Sequence, residues 1–362
     1  MQRPIRVLIA GGGTGGHIFP ALAVADEIRN TAKDARIVFI GTKKKIESRV
    51  VPEAGYEFKS IWIKGFNRKS LKENLLFPLR LIVSMIQATG IAMKLKPDVA
   101  IGSGGYVSGP AVVAGWVMGA KVILLEQNSY PGITTRLLER FATEVHISYQ
   151  ESVKYFRHPE KVFYTGNPVR TTLNSGNPEG AREEMGLKSD KKTVLILGGS
   201  LGAGSMNRAT AGALQTWLKN GMQVIWQTGQ TQFGEYKHQA ADGCVIAPFF
   251  DTMANVYAAA DLVVSRAGAT ALAELAMLGK ALVVVPSPNV AENHQYHNAK
   301  SLSDGGGAVL IEDKSIEREL EHTVLELLHD DNRLEALKEN IKRFAKPEAA
   351  KKIAEQAVRI AL

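Results

Sequence analysis

The sequence predicts an α/β protein of two domains, each a parallel sheet wrapped by helices, with the two sheets facing each other across a cleft. Two observations carry that expectation. The first is a pair of glycine-rich loops, each placed directly after an apolar run. Gly11-Gly12-Gly13-Thr14-Gly15-Gly16-His17 follows Val7-Leu8-Ile9-Ala10, and Gly198-Gly199-Ser200-Leu201-Gly202-Ala203-Gly204 follows Thr193-Val194-Leu195-Ile196-Leu197. A strand that turns tightly into a helix points backbone N–H groups and the positive end of the helix dipole at one spot. Where no side chains intervene, phosphate oxygens can approach that spot closely. One such loop is a weak signal, whereas two of them point to a duplicated nucleotide fold. The second observation is that both halves alternate strand-like and helix-like segments throughout, as a parallel sheet requires.

In the first half, residues 5–10, 37–40, 99–102 and 122–125 read as buried strands. Residues 18–30 read as a helix, with apolar spacing at Leu22, Ala25 and Ile28. The second half repeats the pattern with strands at 194–197, 224–226, 244–247, 262–265 and 281–285. Helices fall near 205–219, 251–259, 270–278 and 295–303. Gly166-Asn167-Pro168-Val169-Arg170, with the Gly/Asn/Pro-rich stretch to Gly180, reads as the interdomain linker. The expected domains are therefore 1–165 and 166–345. Residues 346–362 add an amphipathic C-terminal helix that could pack back on the first domain.

A chain of 362 residues with 45% hydrophobic and 22% charged residues can bury a real core in each domain. Cys244 is the only cysteine, so no intrachain disulfide can form, and its apolar neighbours mark a buried reduced thiol. The N-terminus runs into a strand too soon for a signal peptide, so a cytoplasmic protein is expected. Through residue 165 there are 23 Lys and Arg against 13 Asp and Glu, a formal +10, which leaves −2 for the rest. That asymmetry points to an anionic surface as partner, either nucleic acid or a membrane leaflet.

Gly11, Gly13 and Gly16 fit the G-x-G-x-x-G spacing of a dinucleotide site. That reading wants an acid at the end of the second strand, where Thr42-Lys43-Lys44-Lys45 stands instead. A 2′-phosphate cofactor could use those lysines, so an NADP-dependent oxidoreductase stays open. A third cluster, Gly102-Ser103-Gly104-Gly105-Tyr106-Val107-Ser108-Gly109-Pro110, again follows a strand. A dehydrogenase needs no such loop, whereas an enzyme holding a second, phosphate-bearing substrate does. In the second half, Ser265-Arg266-Ala267-Gly268-Ala269-Thr270 leads into an otherwise apolar helix carrying Glu274. A carboxylate there can accept both hydroxyls of a ribose while the helix N-terminus faces a diphosphate. Glu292-Asn293-His294-Gln295-Tyr296-His297 offers amides and imidazoles to sugar hydroxyls. His294 and His297 lack metal-ligand spacing and there is no Asp-x-Asp pair, so no metal and no cofactor is assigned.

Taken in order, these residues resemble the MurG family, the undecaprenyldiphospho-muramoylpentapeptide β-N-acetylglucosaminyltransferases of peptidoglycan synthesis. The resemblance spans essentially the whole chain. It rests on the three glycine loops, Glu126-Gln127-Asn128, Gly166-Asn167-Pro168-Val169-Arg170, Arg266-Ala267-Gly268-Ala269 and Gln295-Tyr296. It implies the GT-B fold, two Rossmann-like domains, with UDP-N-acetylglucosamine held by the second. Arg170 and Ser200 would meet the nucleotide or its diphosphate, and the backbone at Phe250 would read the uracil edge. The helix start Ala269, Thr270, Ala271, Leu272, Ala273 and Glu274 would face the diphosphate, with Glu274 on the ribose. Thr14, Gly15, Gly16, Asn128 and Gln295 would touch the N-acetylglucosamine, and Gly104, Gly105, Tyr106 and Ser108 would form the acceptor loop. Phe250 stands where an aliphatic is frequent in the family, and His294 where Gln is frequent. The implied reaction moves the sugar, with inversion, to the C4 hydroxyl of a muramoyl residue on a lipid diphosphate, turning lipid I into lipid II. His17 is the candidate base.

The family also implies a peripheral protein on the cytoplasmic face of the bacterial membrane. Its partners would be the donor, the lipid-linked muramoyl-pentapeptide diphosphate, an anionic membrane surface and other wall-synthesis proteins, with no nucleic acid. Residues 75–83 are apolar on all sides and lie near Lys64, Arg68, Lys69 and Lys72. Pro78, Arg80, Ser84 and Gln87 argue against a spanning helix, leaving an interfacial contact and a buried core helix both open. Other readings are a second kind of GT-B enzyme on UDP-sugars (a glycolipid glycosyltransferase or an epimerase) and a catalytically silent nucleotide-sugar-binding protein.

Overall fold

In a computed structural model, the structure is described for residues 3–66, 74–170, 173, 176–199, 202–250, 252–290 and 293–362. Arg68, Lys69, Lys72, Ser200, Leu201, Asp251 and Glu292 lie outside the described residues. The chain divides into two units, Met1–Arg170 with Lys346–Leu362, and Thr171–Ala345. The division thus falls inside the Gly/Asn/Pro-rich stretch, and the last 17 residues return to the first unit.

The first unit runs β1 (Arg6–Ala10), α1 (Gly15–Thr31), β2 (Arg36–Gly41), α2 (Glu47–Glu53), β3 (Glu57–Ser60) and α3 (Phe77–Leu95). It continues with β4 (Val99–Gly102), α4 (Ser108–Val117), β5 (Lys121–Glu126), α5 (Ile133–Leu138), β6 (Glu144–Ile147) and β7 (Val162–Tyr164). The seven strands are all parallel, in the order β3-β2-β1-β4-β5-β6-β7. Side chains alternate across the strands and supply two separate cores. Leu8, Ala10, Val38 and Ile40 pack with Ala88, Ala92, Ala111 and Ala114 of α3 and α4. Val7, Ile9, Ile37 and Phe39 pack on the other side with Ile18, Leu22 and Ala25 of α1.

The second unit runs α6 (Pro178–Glu184), β8 (Thr193–Leu197), α7 (Gly204–Lys219), β9 (Gln223–Gln227), α8 (Phe233–Tyr236), β10 (Cys244–Ala247) and α9 (Met253–Ala259). Then come β11 (Leu262–Arg266), α10 (Ala269–Met277), β12 (Ala281–Val285), α11 (His294–Asp304), β13 (Val309–Leu310), α12 (Ile316–His329) and α13 (Asp331–Lys342). Its six parallel strands are ordered β10-β9-β8-β11-β12-β13. Val194, Ile196, Val224 and Trp226 pack there against Met206, Leu214 and Trp217 of α7 and Leu320, Val324 and Leu327 of α12. Cys244 is buried, and burial pushes its thiol up to about 12, which leaves it inert at neutral pH.

The final helix α14 (Ala349–Ala361) belongs to the first unit. Its apolar stripe, Ile353, Ala354 and Ala357, joins the core built on α1.

Residues 75–83 correct one of the two expectations placed on them. The helix α3 turns Ser84, Ala88, Ala92 and Leu95 inward and leaves the opposite stripe in solvent. Leu75 is 84% exposed, Ile82 59% and Ile86 67%, with Leu76, Leu79, Leu81 and Met93 exposed beside them. A core helix is therefore excluded, because small residues already fill the buried side.

Candidate active site

Both sheets change direction at their first strand, between β1 and β4 in one unit and between β8 and β11 in the other. In open parallel sheets, ligands bind outside the carboxyl ends of strands at such switch points. The loops after β1 and β4 contain the first and third glycine clusters, and the loops after β8 and β11 contain the second cluster and Ala267-Gly268. The four helices that these loops feed, α1, α4, α7 and α10, begin with no acidic residue in the first turn and no side-chain cap bond. The helices α3, α5, α9, α11 and α14 start in the same way, while α6 and α13 are capped by Asn177 and Asp330 and carry an acid in the first turn. The positive ends of the first group are therefore available to an anion.

In the first unit the register pairs Ala10 with Gly102 and Gly102 with Leu124. The segments that follow β1, β4 and β5 thereby meet. His17 is half-buried where they meet, with Nδ1 3.2 Å from Gln127 Oε1. Gly104 has φ +95, and a Cβ there would stand 2.7 Å from His17 Nδ1. The third cluster is thus glycine partly to admit an imidazole, a packing reason invisible in the sequence. Burial holds the His17 pKa below its ordinary 6.5, against opposing effects from Gln127, Ser103 and Glu47. His17 is accordingly neutral at pH 7. A pocket of about 560 Å³ opens beside it, lined by Gly12, Gly13, Thr14, Lys45, Lys64 and Tyr106 among others.

Of the other expected residues in this unit, Thr14 and Gly16 are exposed and Gly15 is half-buried. Asn128 is held by Glu126, whose Oε1 accepts from its backbone N at 3.1 Å and its Nδ2 at 3.4 Å. Burial raises the Glu126 pKa, while the donors around the carboxylate oppose the rise. Ser108 is buried, its hydroxyl engaged with the Ala10 and Gly104 carbonyls at 2.9 and 2.7 Å. Gly105 and Tyr106 stay half-exposed, with Tyr106 on the pocket wall. Arg170 closes the first unit, its guanidinium 4.5 Å from the Phe19 ring centre.

In the second unit Glu274 is buried, 9% exposed, and Tyr257 donates to its Oε2 at 3.0 Å. It is no solvated helix face. Ala269, Thr270 and Leu272 are buried along the same helix, while Ala271 and Ala273 are partly open. The Phe250 backbone N–H donates to Gln227 Oε1 at 3.2 Å, so a ligand would share that donor. Gln295 Oε1 accepts from the Ser287 N–H at 2.9 Å, which leaves its amide nitrogen to act as donor. Arg266 ties the loops together. It donates to Ser205 Oγ at 2.9 Å and to the Val285 and Pro286 carbonyls, and it pairs with Asp313.

One residue at the site had no sequence signal. Glu47, at the start of α2, is fully buried. Its Oε1 accepts from Thr42 N at 3.1 Å and Thr42 Oγ1 at 2.7 Å, and its Oε2 from Gly13 N at 3.1 Å. A Cβ on Gly12 would come within 2.6 Å of this carboxylate.

The chain matches the glycosyltransferase family 28 N-terminal domain over residues 7–147 and the family 28 C-terminal domain over residues 193–355. It is 40% identical over 358 residues to a UDP-N-acetylglucosamine–N-acetylmuramyl-(pentapeptide) pyrophosphoryl-undecaprenol N-acetylglucosamine transferase of Flavobacterium psychrophilum, covering 98% of this chain and 97% of the relative. The transferase of the same name from Parabacteroides distasonis is 42% identical over 365 residues, covering 99% of both chains. Among solved structures, Acinetobacter baumannii MurG superposes with a TM-score of 0.74 at 28% identity, covering 99% of this chain and all of that one. A Neisseria meningitidis UDP-N-acetylglucosamine 2-epimerase shares the fold at a TM-score of 0.70 and 14% identity, over 99% of this chain and all of that one. The chain belongs to glycosyltransferase family 28 and, within it, to the MurG family of hexosyltransferases.

The tie made by Glu47 yields a direct expectation. A glutamine at that position has one acceptor oxygen, so it can serve Thr42 or Gly13 but not both. Glu47→Gln should cost about 1–3 kcal/mol through the donor left unpaired. Amide hydrogen exchange at Gly13 should accelerate while β1 stays protected. Unchanged exchange at both Gly13 and Thr42 would remove Glu47 from the loop's support.

Proposed function

We propose that this protein transfers N-acetylglucosamine from UDP-N-acetylglucosamine to the C4 hydroxyl of the muramoyl residue of lipid I, with inversion at the anomeric carbon, giving lipid II. The observation that carries this reading is His17, an imidazole set among glycines of two loops beside a pocket lined by Lys45 and Lys64. The acceptor hydroxyl attacks the anomeric carbon as the bond to the UDP oxygen breaks, and UDP leaves with the electron pair. The hydroxyl proton passes to His17, whose neutral form at pH 7 suits a general base. The uncapped start of α10 and the arginine side chains suit the diphosphate charge that grows on departure. Glu274, oriented by Tyr257, would accept from the ribose hydroxyls. Gly104, Gly105 and Tyr106 would seat the acceptor, and Thr14, Gly15, Gly16, Asn128, Gln295, Arg170, Ser200 and Phe250 would complete the donor contacts. Transfer of radiolabel from UDP-N-acetylglucosamine to a muramoyl lipid diphosphate tests the whole reading, and release of UDP without an acceptor product would reject it.

The seat of the reaction would be the cytoplasmic face of the membrane, where the protein binds peripherally. No helix among the described residues is long and apolar enough to cross a membrane. The exposed stripe of α3 on a first half carrying +10 suits an anionic leaflet.

Three outcomes are expected. With His17 as base, His17→Ala should lower kcat by about 10²–10⁴-fold with the donor KM little changed. Because its pKa is depressed, the wild-type rate should rise with pH through a limb below 6.5 and be flat at neutrality. A variant retaining most of its turnover would place the base elsewhere.

Glu274→Ala should weaken donor binding by roughly 1.5–3 kcal/mol, about 10- to 150-fold. Equal affinity of the wild type for a 2′-deoxyribose donor analogue would sink that role.

Replacing Lys64, Arg68, Lys69 and Lys72 with Gln should weaken binding to anionic vesicles by several kcal/mol, up to about 10³-fold, at low salt, since each of the four charges is worth at most about 1 kcal/mol there. Binding that survives high salt should then be lost on changing Leu79, Ile82 and Ile86 to Ser. Equal binding of the parent to neutral and anionic vesicles would reject the electrostatic part.

A further inference from the structure

A closed ring of hydrogen bonds sits behind His17. Gln127 Nε2 lies 3.2 Å from the Ser103 carbonyl oxygen and 3.1 Å from Ser103 Oγ. Ser103 Oγ donates to the His17 carbonyl at 2.7 Å, and Gln127 Oε1 closes the ring at 3.2 Å from His17 Nδ1. Gln127 and Ser103 are both buried, so water cannot substitute for a wrong partner.

The direction of every bond in the ring follows from chemistry. An amide's orientation has to be read from its partners. The Ser103 carbonyl can only accept, and the Ser103 hydroxyl has given its proton to His17 O. Both require the amide nitrogen of Gln127 on their side, which turns the amide oxygen toward the imidazole. That oxygen can only accept, so Nδ1 is the nitrogen that carries hydrogen. In a neutral ring Nε2 then holds the lone pair.

We propose that Gln127 is a positioning residue that locks His17 in the Nδ1–H tautomer and so presents Nε2 as the acceptor of the proton released by the attacking hydroxyl. The proposal rests on reading His17 as the base and adds what prepares it. It also gives a reason for an amide rather than a carboxylate at this position. Either group accepts from Nδ1–H, but a carboxylate has no hydrogen for the Ser103 carbonyl, and it would favour the imidazolium and take the base out of use near neutral pH. Glu47 on α2 already acts in that direction, while Lys45, Lys64 and Tyr106 are the other titratable groups on the pocket wall.

The test uses the full chain with ¹⁵N-labelled histidine, the His17 signals being assigned by their loss in His17→Ala. The wild type should show a protonated Nδ1 and an unprotonated Nε2 at neutral pH, and Gln127→Met should shift the population toward the Nε2–H form. In kinetics, Gln127→Met should lower kcat by about 10-fold or more, short of the loss expected for removing the base, with the donor KM within about twofold. Placed in the His17→Ala background, the same change should cost nothing further, as for residues that act as a unit. Gln127→Glu should keep the tautomer, recover turnover above that of Gln127→Met at alkaline pH, and move the acid limb of the rate profile upward. An Nε2–H tautomer in the wild type, an additive loss in the His17→Ala background, or an unmoved acid limb in Gln127→Glu would each overturn the proposal. Should His17→Ala itself keep its turnover, the base assignment fails, while the nitrogen spectra still decide the tautomer.

Discussion

Parallel register is the constraint on which the first domain's chemistry depends. Ala10, Gly102 and Leu124 lie side by side on β1, β4 and β5, so the three segments that leave those strands emerge at one edge. His17 comes from the first, Ser103 and Gly104 from the second, and Gln127 from the third. Residues separated by 86 and 110 positions in the chain become hydrogen-bond partners as a result. A one-residue slip of β5 against β4 would turn its alternating side chains to opposite faces and carry Gln127 away from the imidazole. The uncapped starts of α1 and α4 leave from the same edge, so their free amide groups lie on the side of the sheet that holds the imidazole.

Glu47 does a different job at that edge. It is a carboxylate buried among three donors, two of them backbone amides on the loops after β1 and β2. Removing a charge from water is costly unless its lone pairs are met, and here they are met by groups that would otherwise be unpaired themselves. The arrangement trades the freedom of a glycine loop for a single geometry. Flexible residues surround the imidazole, yet the glycines at 12 and 104 are tight because neighbouring side chains occupy the space where a Cβ would be.

How much of this was legible beforehand depended on the range over which each signal acts. Short apolar runs disclosed β1, β2, β4, β5, β8, β9, β11 and β12, since a strand buried on both faces must be apolar along its length, and the run Cys244-Val245-Ile246-Ala247 disclosed β10 although it lies at a sheet edge. The edge strands β3 and β7 carry Glu57, Lys59 and Tyr164, partly exposed, and so left no such run to read. Residues 75–83 were ambiguous because an all-apolar stretch has no period of its own. Only Ser84, Ala88, Ala92 and Leu95, further along α3, decide which side packs. At the site, Glu274 could be singled out because it interrupts an apolar helix, whereas Glu47 sits in a lysine-rich stretch that gives no hint of burial. Gln127 lay inside a recognisable motif, but its role is set by Ser103 and His17, which register alone brings to it.

The placement of α14 bears on how the chain acquires its shape during synthesis. Its stripe of Ile353, Ala354 and Ala357 completes a core otherwise made from α1 and the first strands. Those early segments leave the ribosome with one face uncovered, and the whole of the second unit, Thr171–Ala345, is made before the cover arrives. At ordinary elongation speeds the wait is on the order of ten seconds or more. The domain that comes later in the chain can therefore finish first. The earlier one meanwhile carries unprotected apolar surface on both α1 and α3, and chaperone binding during translation would concentrate on that nascent half.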